Sequence, residues 1–275
     1  MIIKQLTTIE ELEDVQGLER TVWGMEPLPI HQTFTAVKNG GMMLAAYENK
    51  RIVGFQYSFP GFQDGHTYLC SHMLGVHPDV QKRSIGVQLK RKQREIALEM
   101  GYSTIVWTFD PLLSLNAYLN LRKLRAVAST YFENYYGDME DSLNAGLPSD
   151  RFKVEWAITS DHVSASEHSA KVFQSGQHPV LLNTERNKNG LPVCKGKSTQ
   201  ELSTHNGWMV PIPEDFQAIK STDPGLAMDW RMKTRAVFQR LIEEGFVGVD
   251  LIRTDQNISY YVFVQRNTLN LKGTR

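Results

Sequence analysis

The sequence has 275 residues, of which 41% are hydrophobic, enough for one large domain or for a main domain with a smaller companion. Its 30 basic and 30 acidic residues balance, so the charge gives no support for nucleic acid or an anionic membrane surface as the main partner. The two cysteines show no metal or disulfide spacing, and neither a leader pattern nor a membrane-spanning apolar run is present. We therefore expect a soluble cytoplasmic protein without a bound metal.

The first sixty residues predict a strand, two helices and an antiparallel hairpin. Ile2–Leu6 is a short apolar strand candidate, and Thr8 with Glu11 has the spacing of a capping box before a helix that ends at Gly24. A second short helix is predicted near residues 31–38. Residues 42–47 and 52–59 then predict two paired strands joined by a polar turn, which leads into a third strand.

The third strand is followed by the turn that organises this part of the chain. The apolar run 68–76 ends at His77, Pro78 and Asp79, and a helix with a stop at Gly101 is predicted after residue 84. A helix N-terminus with unpaired N–H groups suits a phosphate, and small residues let it approach the backbone. The turn offers two small and two basic residues: Ser84, Gly86, Lys82 and Arg83. An ordinary surface turn remains the alternative.

The predicted helix of residues 85–100 is amphipathic. Its apolar face carries Ile85, Leu89, Ile96 and Met100. The side chains expected to point away from this face are Lys90, Arg91, Arg94 and Glu95. A further strand is predicted from Thr104 onward.

These residues carry a resemblance to a known family. Leu74-Gly75-Val76-His77-Pro78 followed by Gln81-x-x-Ser84-x-Gly86 resembles the acetyl-CoA-binding segment of the GNAT superfamily of acyltransferases, with Ser84 where the first Gly is usual. The resemblance implies an α/β (α+β) fold with a mixed, mainly antiparallel central sheet flanked by helices. It also implies that acetyl-CoA is contacted by Leu74, Val76, Gln81, Lys82, Arg83, Ser84, Ile85, Gly86 and Val87.

A second segment resembles the part of the same family that closes over CoA. Residues 116–124 contain an Asn-Ala pair and a Lys-Leu ending, which implies CoA contacts by Asn116 and Asn120. Arg125 replaces the usual closing Gly, and Leu121 replaces the Tyr that is the family's commonest general acid. The sequence at residues 109–111, 116–117 and 146–151 is similar to that of a branch of larger, mostly uncharacterised predicted acetyltransferases.

The resemblance also implies a mechanism of direct transfer from acetyl-CoA to an amine. A backbone N–H at Gly75 or Val76, with Gly75 the preferred candidate, would receive the thioester oxygen, and His72 and Asp110 are candidates for the base. The alternatives are a core histidine for His72, a turn or cap for Asp110, and a helix cap for Asn116. Any of four tyrosines could donate a proton, although packing is the alternative for each: Tyr118, Tyr131, Tyr135 and Tyr136.

The remaining chain predicts three segments. Residues 1–160 form the GNAT-like domain, with further strands at 126–132 and 152–158 and a short helix at 138–144. Residues 161–205 are polar and predict a linker with loops, and 206–275 predict a smaller C-terminal α+β subdomain. In that subdomain Asp223 and Pro224 start a helix, on which Arg231 and Arg235 are expected on a solvated face, with contact to an anionic substrate as the alternative.

The sequence therefore predicts an acyl-CoA-dependent N-acetyltransferase that works through a ternary complex, with a small-molecule or peptide amine as acceptor. No nucleic acid or membrane partner is expected, and a homodimer is left open. Two alternatives remain: a non-catalytic GNAT-like module that binds acyl-CoA or a partner, and a nucleotide-binding protein that uses the same turn.

Overall fold

The computed structural model describes residues 1–81, 83–139, 146–164, 178–195 and 200–272. It divides into two compact units. The first comprises Met1–Trp107 and Ala157–Thr159, and the second comprises Thr108–Trp156 and Ser160–Lys272. The chain has a mixed α/β fold in which mainly antiparallel strands are flanked by helices, as predicted.

The first unit contains a sheet with the strand order β1-β2-β3-β4-β5. The strands are β1 (Ile2–Leu6), β2 (Met42–Glu48), β3 (Arg51–Gln63), β4 (His66–Val76) and β5 (Thr104–Phe109). The first four pair antiparallel, and β5 is parallel to β4. The helices are α1 (Ile9–Trp23), α2 (Ile30–Lys38) and α3 (Ile85–Glu99). This order confirms the one predicted from the sequence.

Helices cover both faces of this sheet because neighbouring residues of β3 point to opposite sides. Phe55 packs in a core cluster with Leu12 and Val15 of α1. Gly54 lies on the opposite face, where a Cβ would stand 2.9 Å from Ile85 of α3. The predicted capping box is present, since the Thr8 side chain accepts from the N–H of Glu11 and the Glu11 carboxylate accepts from that of Thr8.

One prediction for α3 is wrong. Lys90 does not point into solvent: it is only 2% exposed and lies against the sheet, and the buried face of the helix also includes Gln93 and Ala97. Arg94 is partly buried as well and donates to the carbonyl of Ile158 at 2.8 Å. The apolar residues therefore mark only part of a wider buried face.

The second unit contains strands in the order β7-β6-β11-β12-β10, all antiparallel. They are β6 (Val127–Phe132), β7 (Arg151–Ala157), β10 (Gly207–Pro213), β11 (Phe246–Arg253) and β12 (Ile258–Gln265). A separate two-stranded sheet pairs β8 (Asn183–Arg186) with β9 (Pro192–Lys195). The helices are α4 (Ser114–Ala117), α5 (Asp161–Ser164), α6 (Phe216–Thr222) and α7 (Pro224–Glu243).

Several features of this unit differ from the sequence prediction or extend it. Asp223 caps α7 with Pro224 at its start, as predicted. The segment that resembles the CoA-closing part of the family contains an α-helical turn, Ser114–Ala117, followed by a π-helix at Tyr118–Lys123. The pair β8–β9 and helix α6 were not predicted. The helix predicted at 138–144 falls largely outside the described residues, and the predicted domain limits stay a prediction.

Candidate active site

A β-bulge in β4 sets the orientation of His72. Met73 pairs with Tyr57 and Ser71 with Ser58, so His72 is the extra residue between two paired positions. Its ring lies 5.6 Å from the ring of Phe59 and 6.1 Å from that of Tyr57, centroid to centroid. Part of the imidazole is exposed, while burial of the rest lowers the pKa of His72 below its usual value. The side chain is therefore neutral at pH 7.

Beyond the bulge, β4 has an edge that β5 does not pair with. The parallel pairs are Leu69 with Ile105 and Cys70 with Val106, and in the described part of the chain the ladder does not continue past them. On its other edge β4 stays paired to β3 as far as Val76. The two strands therefore separate after Cys70 and leave one edge of residues 71–76 open.

The pairing with β3 decides which backbone groups face that open edge. The N–H of His77 donates to the carbonyl of Val53 at 2.9 Å, so this position faces β3. Because N–H directions alternate along an antiparallel strand, the N–H of Gly75 also faces β3, and those of Leu74 and Val76 face the open edge. Of the two predicted oxyanion donors, Val76 has the suitable direction.

Gly75 has a steric role in the same strand. A Cβ at this position would lie 2.6 Å from the ring of Phe55 and 3.1 Å from that of Trp23. Those two rings meet edge to face at 5.6 Å and form part of the core beneath β4. A side chain here would displace them.

The turn after β4 is anchored to the β2–β3 hairpin at two points. The Arg51 guanidinium contacts His77 Nε2 at 2.5 Å, and the His77 Nδ1 accepts from the N–H of Asp79 at 3.2 Å. Arg83 makes a bidentate ion pair with Glu48, at 2.9 and 2.8 Å. The Arg83 charge is thus paired with that of Glu48 within the protein. Lys82, the other predicted basic residue of the turn, lies outside the described residues.

Ser84 opens α3 in a left-handed conformation, with a φ of 59°. Its side chain makes no capping hydrogen bond, so it does not occupy the N–H groups of the first helical turn. Ile85 is buried against the sheet, while Gly86 and Val87 are partly accessible and Gln81 is exposed. The start of α3 therefore presents backbone N–H groups on a firmly anchored turn.

Asp110, in the second unit, is held in an ion pair. Both carboxylate oxygens accept from Arg231, at 2.9 and 2.6 Å, and one also accepts from the N–H of Leu112 at 2.8 Å. Asp110 and Arg231 are 7% and 1% exposed. Arg235 likewise binds Asp150, at 2.7 Å. The prediction of a solvated face for Arg231 and Arg235 is therefore wrong, because each guanidinium forms an ion pair with a buried carboxylate that is distant in sequence.

The other predicted residues of the second unit fall into different environments. Asn116 is exposed at the end of α4, and Asn120 is 4% exposed within the π-helix. Tyr131 donates to Asp150 at 2.5 Å, and burial together with that carboxylate raises the pKa of its hydroxyl. Tyr136 shares a hydrogen bond with Thr108 at 3.1 Å, and the Tyr135 ring stacks on Phe132. The Tyr118 ring lies beneath Lys123 at 5.5 Å.

Comparison with known proteins finds a family similarity for part of the chain. Residues 8–118 match the sequence model of the acetyltransferase (GNAT) family. The chain is therefore similar to the GNAT family over residues 8–118 of its 275 residues, and this segment is called the GNAT-like domain below. The matched segment includes the bulged strand, the turn and α3. A comparison with curated proteins yields no match.

Solved structures similar to this chain include several acetyltransferases. The ribosomal-protein-S18-alanine N-acetyltransferase from Escherichia coli is 14% identical, with a TM-score of 0.47 over 63% of this chain and 97% of its own. An N-acetyltransferase from Staphylococcus aureus is 17% identical, with a TM-score of 0.45 over 57% and 98%. Aminoglycoside 6'-acetyltransferase type Ii is also 17% identical, with a TM-score of 0.43 over 57% and 97%.

The described residues contain neither a candidate metal site nor a candidate membrane-spanning helix. No group of three or more His, Cys, Asp or Glu side chains there is arranged to hold a metal ion. None of the helices described is both long and apolar enough to cross a membrane.

Proposed function

We propose that the GNAT-like domain catalyses acyl-CoA-dependent N-acyl transfer, with acetyl-CoA as the donor and an amine as the acceptor. The observation that carries this proposal is the open edge of β4, which leads directly into an anchored turn at the N-terminus of α3. A donor with a pyrophosphate and an extended arm bearing amides matches that combination of groups.

The pyrophosphate would lie at the start of α3. There the N–H groups of Ile85, Gly86 and Val87 and the positive end of the helix dipole favour an anion. Arg83 would add positive charge if it exchanged Glu48 for phosphate, and Gln81 and Lys82 stay proposed contacts on the resemblance of the sequence motif. Asn116 and Asn120 stay proposed CoA contacts on the resemblance of their segment alone.

The pantetheine arm would lie along the open edge of β4. Its two amides can pair with outward-facing backbone groups of the strand, as an added peptide strand does at a sheet edge. The N–H of Val76 would then receive the thioester oxygen as it becomes an oxyanion. In other acyl-transfer enzymes one such donor contributes about 2.7–4 kcal/mol of transition-state stabilisation.

His72 is the base that we propose for the acceptor amine. It is neutral at pH 7 and partly exposed, so it can accept the proton of an incoming ammonium group. The amine nitrogen then attacks the thioester carbon, the C–S bond breaks, and CoA leaves as a thiolate that takes up the second proton, which the nitrogen loses as it becomes an amide. Asp110 is the weaker candidate, because Arg231 and Leu112 already occupy its oxygens.

A non-catalytic module that binds acyl-CoA is the second candidate function. It is favoured by Leu121, which stands where the resemblance places the commonest general acid and is 1% exposed. The acceptor, whether a small molecule or a peptide, and a homodimeric assembly are further parts of the proposal that sequence resemblance alone supports.

Release of free CoA thiol from acetyl-CoA in the presence of a panel of amines and peptide N-termini tests this function. The wild-type protein should release thiol with at least one acceptor. Gly86→Glu should bind neither acetyl-CoA nor CoA, because it places a carboxylate in the pyrophosphate site. Gly17→Glu is a matched control, since nothing lies within 4 Å of a Cβ there. Unchanged CoA affinity in Gly86→Glu would refute the site.

A further inference from the structure

Lys90 occupies an unusual position in the first unit. It is only 2% exposed, although lysine is among the residue types least often buried. Its amine lies 2.8 Å from Ser71 Oγ, 3.1 Å from Gln93 Oε1 and 3.5 Å from the centroid of the Trp107 ring. These three contacts are with a hydroxyl, an amide and an aromatic ring.

The contacts of Lys90 lie at the point where β4 and β5 separate. Cys70 and Val106 form the last pair of the parallel ladder, and Ser71 and Trp107 are the next residue of each strand. The Lys90 amine contacts both of them. One side chain of α3 thus connects the two strands at the start of the opening between them.

The surrounding polar groups hold Lys90 in one orientation. Gln93 donates to Ser58 Oγ at 2.7 Å, and Gln56 donates to the same oxygen at 2.5 Å, so the network reaches β3. Burial lowers the pKa of Lys90 well below its usual value, while the nearby Cys70 acts in the opposite direction. The Lys90 amine donates to Ser71 Oγ and to Gln93 Oε1, and the Ser71 hydroxyl donates to Gln93 Oε1 at 3.5 Å.

We propose that Lys90 is a positioning residue of the acyl-transfer site, which fixes the opening between β4 and β5 through Ser71 and Trp107. This inference rests on the proposed function, because the opening is the place assigned to the pantetheine arm. Without the amine, Ser71 and Gln93 lose a buried partner, and the two strands lose their connection at the start of the opening. The turn at the start of α3 has separate contacts of its own, between Arg51 and His77 and between Arg83 and Glu48.

The test compares two ligands that differ only in the pantetheine arm. Acetyl-CoA and 3′-phospho-ADP, which is the remainder of CoA without the arm, are titrated into wild type and Lys90→Met, a substitution of similar length without a polar group. Lys90→Met should weaken acetyl-CoA binding at least about tenfold and change 3′-phospho-ADP binding less than about twofold. Ser71→Ala should act in the same direction and serves if Lys90→Met does not fold.

The control is Lys92→Met, which removes an exposed lysine of the same helix that pairs with Glu95. It should change neither affinity. Equal weakening of both ligands in the Lys90 and Ser71 variants would show a general structural role and overturn the proposal, as would unchanged binding of both. If wild type itself binds neither ligand, the proposed function fails first, and that result is visible before any variant is measured.

Discussion

At the scale of single residues, the packing around β4 is tight enough to predict the effect of one methyl group. Gly75→Ala should lower the free energy of unfolding by about 1–3 kcal/mol, because its Cβ would press on Phe55 and Trp23. Gly17→Ala, in the open middle of α1, should instead raise it by about 0.5–1 kcal/mol. Urea denaturation of both variants checks this pair, and equal effects would contradict it.

His72 gives a residue-scale prediction about pH. A base acts in its neutral form, and burial lowers the pKa of His72, so neutral His72 persists to a lower pH than for a free imidazole. The rate as kcat/KM should fall on the acid side with a midpoint below about 6.5. In His72→Gln the rate should be low and this acid limb should disappear. An unchanged acid limb in the variant would exclude His72 as the base.

At the scale of elements, two positions at which the sequence departs from the family pattern share one backbone conformation. Ser84 and Arg125 both stand where the resemblance places Gly, and both have a positive φ, 59° and 57°. Both residues thus have the left-handed backbone conformation that glycine adopts more easily than serine or arginine does.

Ser84→Gly should therefore be tolerated, and should raise the free energy of unfolding by as much as about 1 kcal/mol. Ser84→Val should lower it, since a β-branched residue with a positive φ is strained. Thermal unfolding of the two variants is the measurement. A loss of stability in Ser84→Gly as large as in Ser84→Val would mean that the Ser84 side chain, and not the backbone conformation, matters there.

The elements that could be predicted are those whose signals are local. The Thr8–Glu11 capping box, the Asp223–Pro224 helix start and the apolar strands of the first unit have their causes within a few residues. The π-helix at Tyr118–Lys123 was not predicted, because the resemblance of this segment implies a helix without specifying its hydrogen-bond pattern. The buried position of Lys90 depends on Ser71 and Trp107, which its own helix does not reveal.

At the scale of the whole molecule, long-range ion pairs are what the sequence could not predict. Asp110 and Arg231 are far apart in the chain, yet they form a bidentate pair in the second unit. The carboxylate after a strand suggested a base, whereas its environment indicates a structural role. The turn, the strand before it and the fold class were accessible because they rest on contiguous motifs, while the bulge in β4 and the direction of each N–H required the strand register.

The Asp110–Arg231 pair yields a prediction that separates these two roles. Asp110→Asn should lower the free energy of unfolding by about 3–5 kcal/mol, because it leaves the Arg231 charge buried without its partner. The double variant Asp110→Leu with Arg231→Met should recover much of that loss. Chemical denaturation of the single and double variants is the measurement. A stable Asp110→Asn protein that has lost only turnover would restore Asp110 as a base.

The central claim is that the turn and the open edge of β4 together bind an acyl-CoA. Calorimetric titration of the purified protein with acetyl-CoA, CoA and ATP tests it most directly. We predict binding of both CoA species with one site per chain, and much weaker binding of ATP, which lacks the pantetheine arm. Binding of ATP alone would favour a nucleotide-binding protein, and absence of CoA binding would contradict the proposed function.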